Sequence, residues 1–349
     1  MAKNKKKNKN HSTRVSTELS RVSLGRRKFP IFLYAIIGLI VVLLAILFFL
    51  LWPTDLASIY VSNENPKQGD TVFIRVKSAA SEVIGNFGQS FGTAQDKEKL
   101  VFYRKGNSQE WISFLGIDVI QKPGDYKIFV DTSNAEHLVK EIKVAQADFS
   151  SAAAAPAPTL SQTGITQIKA VDNIVKKDAP ALKKFLNNLT PEPYFTSAFS
   201  FPLSKVKKVG YSFGKFIGFG TEKIQHLGVD LVASENTNVY AVNDGKVVAT
   251  LDLSNYGKTV IIDHGLDIFS LYLHLEEFKV AKGDMVKRSQ LIGLSGKTGY
   301  VTAPHLHFSM RVNSSRVDPI AFIEATKKMN DNFILADISN AFLNIINYK

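Results

Sequence analysis

The 349-residue sequence has no cysteine. That excludes a disulfide framework, a thiolate metal site and a cysteine nucleophile. Any transition-metal site must use histidine and carboxylate. Histidine is itself scarce, with seven in all: His11, His137, His226, His264, His274, His305 and His307. Acidic residues are outnumbered, 31 against 43 Lys and Arg, giving a formal charge of +12. The imbalance belongs to one end. Residues 1–29 hold ten Lys and Arg against Glu18 alone, or +9, which leaves +3 for the rest. A basic patch on a folded surface is therefore not expected. The tail has no aromatic residue before Phe29, so no nucleic-acid partner is expected either.

What the sequence does have is one long charge-free run, "IFLYAIIGLIVVLLAILFFLLW", residues 31–52. As a helix it is roughly 33 Å long, enough for a hydrocarbon core of about 30 Å. A cleavable signal peptide has a shorter apolar region and a small-x-small site, which "WPTDLAS" does not supply. The run is read as a single-pass anchor in the cytoplasmic membrane. The basic tail of 1–29 then stays inside, and everything after Trp52 lies in a periplasm or outside the cell.

The remainder suits two ordinary domains. Residues 54–147 read as a β-sandwich module: "TVFIRVK" and "YKIFVD" alternate with period two, and Gly69 and Gly124 mark turns. It holds one histidine, His137, and is read as a spacer or binding module. "SSAAAAPAPTLSQ" makes 148–162 a linker. A helical connector is expected over 163–199, with apolar residues at helical spacing over 165–175 and a break or restart at Pro180. From Ser200 short apolar runs alternate with Gly-containing turns, a second mainly-β domain over 200–328. Asp318 suits a helix N-cap and Pro319 the first helical position. The end, 329–349, reads as an amphipathic helix with apolar Ile334, Ile338, Phe342 and Ile346.

Five of the seven histidines fall in this second β domain. In "PHLH", His305 and His307 point to one face of a strand, while Leu306 points to the other. In "HLGVD", His226 and Asp230 can converge, with Gly228 allowing close approach. Two imidazoles and one carboxylate make a three-ligand zinc set with an open fourth position, the pattern of catalytic sites. The remaining histidines on that surface are left to handle protons. His264, ahead of a Gly turn, is assigned to satisfying backbone groups at a hairpin end.

The blocks "HLGVD", "VYAVNDGKVV", "GKTVIIDHG", "LYLHL", "VAKGDMV", "LIGLSGKTGYVTAPHLHF" and "VDP" resemble, in order and spacing, the lysostaphin-type (LytM-like) zinc metallopeptidases over residues 200–325. The resemblance implies a β-sandwich-like domain with an open groove and cleavage of peptide bonds in bacterial peptidoglycan. It implies Zn2+ held by His226, Asp230 and His307, with His274 and His305 as catalytic histidines. Spacing alone does not separate His305 from His307. The module at 54–147 resembles bacterial immunoglobulin-like domains. Two positions depart from the family pattern. Arg288 stands where glycine is commoner, and "FGKFIGFGTEKIQHLG" lacks an arginine after Phe-Gly.

The reading is a membrane-anchored peptidoglycan endopeptidase, with His305 as the main base and His274 stabilising the tetrahedral intermediate. Wall-synthesis or division proteins are partners it would meet. The alternatives are a catalytically silent regulator or activator of other wall hydrolases, and a wall-binding scaffold acting through the β module. The connector and the C-terminal helix are candidates for covering the groove or holding a partner.

Overall fold

The computed structural model describes residues 31–51, 57–89, 98–104, 106–149, 155–156, 166–186, 190–206, 209, 212–219 and 222–329. The basic tail (1–29), most of the linker (148–162) and the amphipathic C-terminal segment lie outside them. The chain divides into two units, Met1–Thr54 and Asp55–Lys349.

The first unit contains helix α1 (Ile31–Leu51), 21 residues with no charged side chain. Its side chains are described over 34–47, and all of these are exposed. Among the described residues, no helix is long and apolar enough to cross a membrane.

The second unit is mainly β. It begins with β1 (Ser58–Val61), β2 (Thr71–Lys77), β3 (Val83–Gly88), β4 (Glu98–Leu100), β5 (Tyr103–Arg104), β6 (Glu110–Gly116), β7 (Gly124–Thr132) and β8 (His137–Val144). They form two antiparallel sheets, β1-β2-β6-β5 and β4-β3-β7-β8, which share one core. The period-two pattern decides which side chains enter it. Val72, Ile74 and Val76 face this core, with Trp111 and Ile128. Phe73, one step out of phase, faces the other way and is still buried. It belongs to the core of the following domain, where Phe114 lies 5.6 Å from it and 6.2 Å from Phe195. The β1-β2-β6-β5 sheet is thus buried on both faces, and the module is packed onto its neighbour. At one end of that contact the Arg316 guanidinium donates to both oxygens of Asp118.

Glu98 lies beside this contact. Its Oε1 is buried without a hydrogen-bond partner among the described residues. Burial, together with the charges of Asp267 and Asp118, pushes its pKa up to about 8. The folded chain holds this proton more tightly than the unfolded chain does. The stabilisation is therefore complete below about pH 4.5 and is lost as pH rises through about 8. Glu98→Gln is expected to match the parent protein's thermal midpoint at pH 5 and to exceed it at pH 8.5. Equal midpoints at both pH values would contradict this.

The next residues are β9 (Ala155–Pro156), then α2 (Gln167–Asn173), a π-helical turn (Ile174–Asp178) and α3 (Ala179–Lys183). The sequence reading expects a break or restart at Pro180; the chain stays helical and restarts as α3 at Ala179, with the proline in its first turn. Proline cannot donate to the ladder. The helix widens by one residue ahead of it, so that the Ala179 N–H reaches Ile174 O. Thr166 caps the start, accepting from Lys169 N–H at 3.3 Å.

The domain proper comprises β10 (Phe216–Phe219), β11 (Glu222–Gln225), β12 (Val229–Val232), β13 (Asn238–Tyr240), β14 (Gly245–Leu253), β15 (Gly257–Asp263), β16 (Ile268–Phe278), β17 (Met285–Val286), β18 (Leu291–Ser295), β19 (His305–Val312), β20 (Ser315–Val317) and α4 (Pro319–Met329). Its main path is β12-β19-β16-β15-β14-β17, all antiparallel. One face carries Leu306, Phe308, Met310 and Tyr272 into the main core. The other carries Ile261, Phe269, Leu271 and Leu273, on which Leu182 of α3 packs. Asp318 caps α4, accepting from Ile320 N–H at 2.9 Å and Ala321 N–H at 3.3 Å.

Candidate metal centre

The site lies on the second face. In register, Asp230 on β12 stands directly opposite His307 on β19, so the two side chains share a side. His226 precedes β12 and is brought in by Gly228. A Cβ on Gly228 would come within 2.5 Å of His307 Nε2 and 2.6 Å of Phe308 O, so only glycine permits the approach. The result is a triangle: His226 Nε2 to Asp230 Oδ1 3.0 Å, His226 Nε2 to His307 Nδ1 3.0 Å, His307 Nδ1 to Asp230 Oδ1 2.8 Å.

His305, two residues before His307, reaches Asp230 Oδ1 with its Nε2 at 3.6 Å. His274 arrives by a different route. Leu273 pairs with His307 and lies on the groove face, so simple alternation would aim His274 into the core. Between Tyr272 and Leu275, β16 has one residue more than β15 offers, a bulge. His274 sits in it with φ +61°, the left-handed region. Its ring lies 4.9 Å from that of His305 and 6.0 Å from that of His307.

The hydrogen bonds assign the tautomers. His226 Nδ1 donates to Ser212 O at 3.2 Å, His274 Nδ1 to Thr298 O at 2.9 Å, and His305 Nδ1 to Ala303 O at 2.9 Å. Ser309 Oγ donates to Leu227 O at 2.9 Å, so it accepts from His307 Nε2 at 3.0 Å. Each ring thus has its proton on the outer nitrogen. His226 Nε2 and His307 Nδ1 turn their acceptor sides toward Asp230. Burial pushes His307 down to about 4 and His274 to about 3, which keeps both neutral. Burial opposes the charge on Asp230, but the adjacent imidazoles of His226 and His307 outweigh it and hold the carboxyl well below its usual range.

This is the donor set a metal ion requires. Zinc ligands at about 2.0–2.1 Å in tetrahedral array lie about 3.4 Å apart. The triangle would open by a few tenths of an ångström to receive one. The residues fit, and His226, Asp230 and His307 are the group among the described residues able to hold a metal. The surrounding cavity, about 270 Å³, is walled by Ile217 and Ile224 of the β10–β11 hairpin and by Ile174 and Leu182 of the connector. The hairpin is the segment whose sequence departs from the family pattern. The connector is fixed by Asp178, whose carboxylate accepts from Asn255 N–H at 2.6 Å, and by Asn255 Nδ2, which donates to Ala170 O at 2.7 Å.

His264 stands apart from the site. It is fully buried, with Nδ1 donating to Asp244 O at 2.7 Å and Nε2 against Ser270 Oγ at 2.7 Å. His137 is exposed on the module beside Asp131. Arg288 sits on a turn where its N–H donates to Asp244 Oδ1.

Ser309 is the residue that reading the sequence missed. Its signal was the same alternation that pairs His305 with His307. Ser309→Ala removes the acceptor that fixes the His307 tautomer and is expected to weaken metal affinity roughly 10–100-fold. Competition against a chromophoric chelator measures this. Unchanged affinity would deny Ser309 that role.

A largely buried His/Asp/His triangle flanked by two further imidazoles on the open face of an antiparallel sheet is a candidate mononuclear metal centre, of the kind metallohydrolases use. Comparison with known proteins adds a family. Residues 224–319 match Peptidase family M23. Over 125 residues the chain is 39% identical to lysostaphin of Staphylococcus simulans, covering 34% of this chain and 25% of that protein. Over 93 residues it is 44% identical to peptidoglycan DD-endopeptidase ShyA of Vibrio cholerae, covering 27% of this chain and 22% of that protein. The chain thus spans a quarter or less of the length of these two relatives. A crystal structure of a putative peptidase M23 from Pseudomonas aeruginosa shares the fold over 74% of this chain and 96% of that one, with TM-score 0.54 and 22% identity.

Proposed function

We propose that this chain is a zinc metalloendopeptidase that hydrolyses peptide cross-links of bacterial peptidoglycan. The observation that carries the reading is the convergence of His226, Asp230 and His307 with His274 and His305 on one cavity. Relatives named as peptidoglycan and glycyl-glycine endopeptidases support the substrate class. Zinc, when bound, supplies an activated water near neutral pH and a Lewis acid for the scissile carbonyl.

The chain's own groups do the rest. His226, Asp230 and His307 hold the ion. His305, anchored through Nδ1, presents Nε2 beside Asp230 and accepts the proton of the attacking water. His274, held by Thr298 O, presents Nε2 to the same space. The proton that His305 takes up is passed to the leaving amine, directly or through His274 Nε2, whose ring stabilises the oxyanion while it carries that proton. The silent-regulator reading is disfavoured because the complete donor set is present with its tautomers aligned.

The charge-free sequence run of residues 31–52, which extends past the described helix α1, is assigned as a single-pass membrane anchor. The 21 residues of α1 carry no charge, and Tyr34, Leu39, Val41 and Leu44 are exposed all round, the pattern of a helix that meets lipid. With the basic tail inside, the catalytic domain faces the periplasm or the exterior. The two-sheet module is assigned as an immunoglobulin-like spacer between anchor and peptidase domain. Substituting exposed apolar residues of the module, Tyr60, Ile84 and Val139, while hydrolysis and wall binding are measured separately, distinguishes it from a wall-binding module.

The test of the whole reading is the full-length protein against defined cross-linked muropeptides, with metal analysis. Cleavage should vanish on chelation and return with zinc. A zinc-loaded protein that cleaves no muropeptide would overturn the enzyme assignment.

A further inference from the structure

Strand β19 turns four side chains to the groove: His305, His307, Ser309 and Arg311. The first three belong to the metal centre. Arg311 lies four residues beyond His307, about 13 Å along the strand at roughly 3.3 Å per residue. It lines the same cavity. Its cross-strand neighbours are Phe269 on β16 and Arg316 on β20.

The two arginines differ in their partners. Arg316 is neutralised by Asp118, with its Nε at 2.9 Å from one carboxylate oxygen and its Nη2 at 2.6 Å from the other. Arg311 donates from Nη1 to its neighbour's carbonyl, Met310 O, at 3.2 Å. Among the described residues no carboxylate forms an ion pair with it. Burial, and the charge of Arg316, lower its pKa only to about 10, so it stays a cation at neutral pH. The cavity around it is largely apolar, with Leu182, Leu271 and Leu273. Beside it stands Tyr256, whose phenol burial holds up to about 12, a neutral hydroxyl that can donate a hydrogen bond. A cation in a largely apolar recess, whose neighbouring carboxylate Asp118 is already committed to Arg316, is a costly arrangement, and an arriving anion relieves it. Guanidinium and phenol together suit a carboxylate, which guanidinium binds in bidentate fashion.

We propose that Arg311, with Tyr256, forms a subsite for a carboxylate of the substrate peptide, about four extended residues from the bond held at the metal centre. The inference rests on the peptidase reading above. The carboxylate is either a free chain terminus or an internal side-branch carboxyl of the cross-linked peptide. Both share one recognition chemistry.

The test uses full-length protein, in parent and Arg311→Gln forms. The probes are cross-linked muropeptides with all carboxyls free, with the terminus amidated, or with the internal carboxyls amidated. Calorimetric binding is measured alongside cleavage. One of the two amidations is expected to weaken binding by the parent roughly 10–100-fold, and that identifies the source of the carboxylate. Arg311→Gln should lose the same factor on the free acid and nothing on that amide, with zinc content unchanged. Arg311→Lys should recover part of it. Equal binding of acid and amides by the parent overturns the subsite. So does an Arg311→Gln protein that still discriminates, or one that weakens equally on all forms. Discriminating binding without cleavage leaves the subsite standing and overturns the enzyme assignment instead.

Discussion

Replacement of His307 with alanine is expected to strip zinc from the full-length protein and to lower hydrolysis of cross-linked muropeptides by at least about 10³-fold. His307 makes two of the three edges of the donor triangle, 3.0 Å to His226 and 2.8 Å to Asp230. Without it two donors remain, fewer than the three protein ligands of a catalytic zinc site. Loss of the ion removes both the activated water and the Lewis acid. These are worth several kcal/mol of transition-state stabilisation, at about 1.4 kcal/mol per factor of ten. The fold should survive, because Leu306 and Phe308, which anchor the strand in the core, are untouched. A matched control is His137→Ala, exposed on the module, which should change neither zinc nor rate. A His307→Ala protein with one zinc per chain and more than a tenth of the parent rate would refute the ligand assignment.

The pairing of His305 with His307 was legible because strand alternation is a local rule. The convergence of His226 with Asp230 was legible through Gly228. Why Asp230 meets His307 was not, since that depends on the register of β12 against β19, a pairing 77 residues apart. The second face of the module sheet was hidden similarly. Phe73 occupies what looked like the solvent phase of an alternating strand, and it is buried because another domain covers it. Asp118 and Arg316 are 198 residues apart, and nothing local announces their ion pair. At Pro180 the local rule predicted a break or restart, and the chain restarts there as α3, kept continuous by tertiary contacts. Asp178, two residues earlier, is held by the N–H groups of residues 254–256, and Leu182 is held by the sheet. The connector, read from sequence as a candidate cover, supplies Ile174 and Leu182 to the cavity wall.

The second large effect is expected at His274. Its place in the groove depends on the bulge that turns one extra residue of β16 to the groove side, and on a left-handed φ of +61°. A non-glycine residue held there costs about 1–3 kcal/mol, and such strain concentrates where function requires a particular side chain. Both His274→Ala and His274→Gly remove the imidazole. Each should lower kcat by about 10²–10⁴-fold, the usual contribution of a positioned acid or base, while bound zinc stays at one per chain. That retention separates His274 from His307. The two variants should differ from each other in stability. Glycine adopts the left-handed region freely and alanine does not, so the glycine variant should be more stable by up to about 1 kcal/mol in denaturant unfolding. Either variant keeping more than a tenth of the parent kcat would remove His274 from the catalytic machinery. An alanine variant as stable as the glycine one would show that the bulge, and not the side chain it carries, sets the backbone.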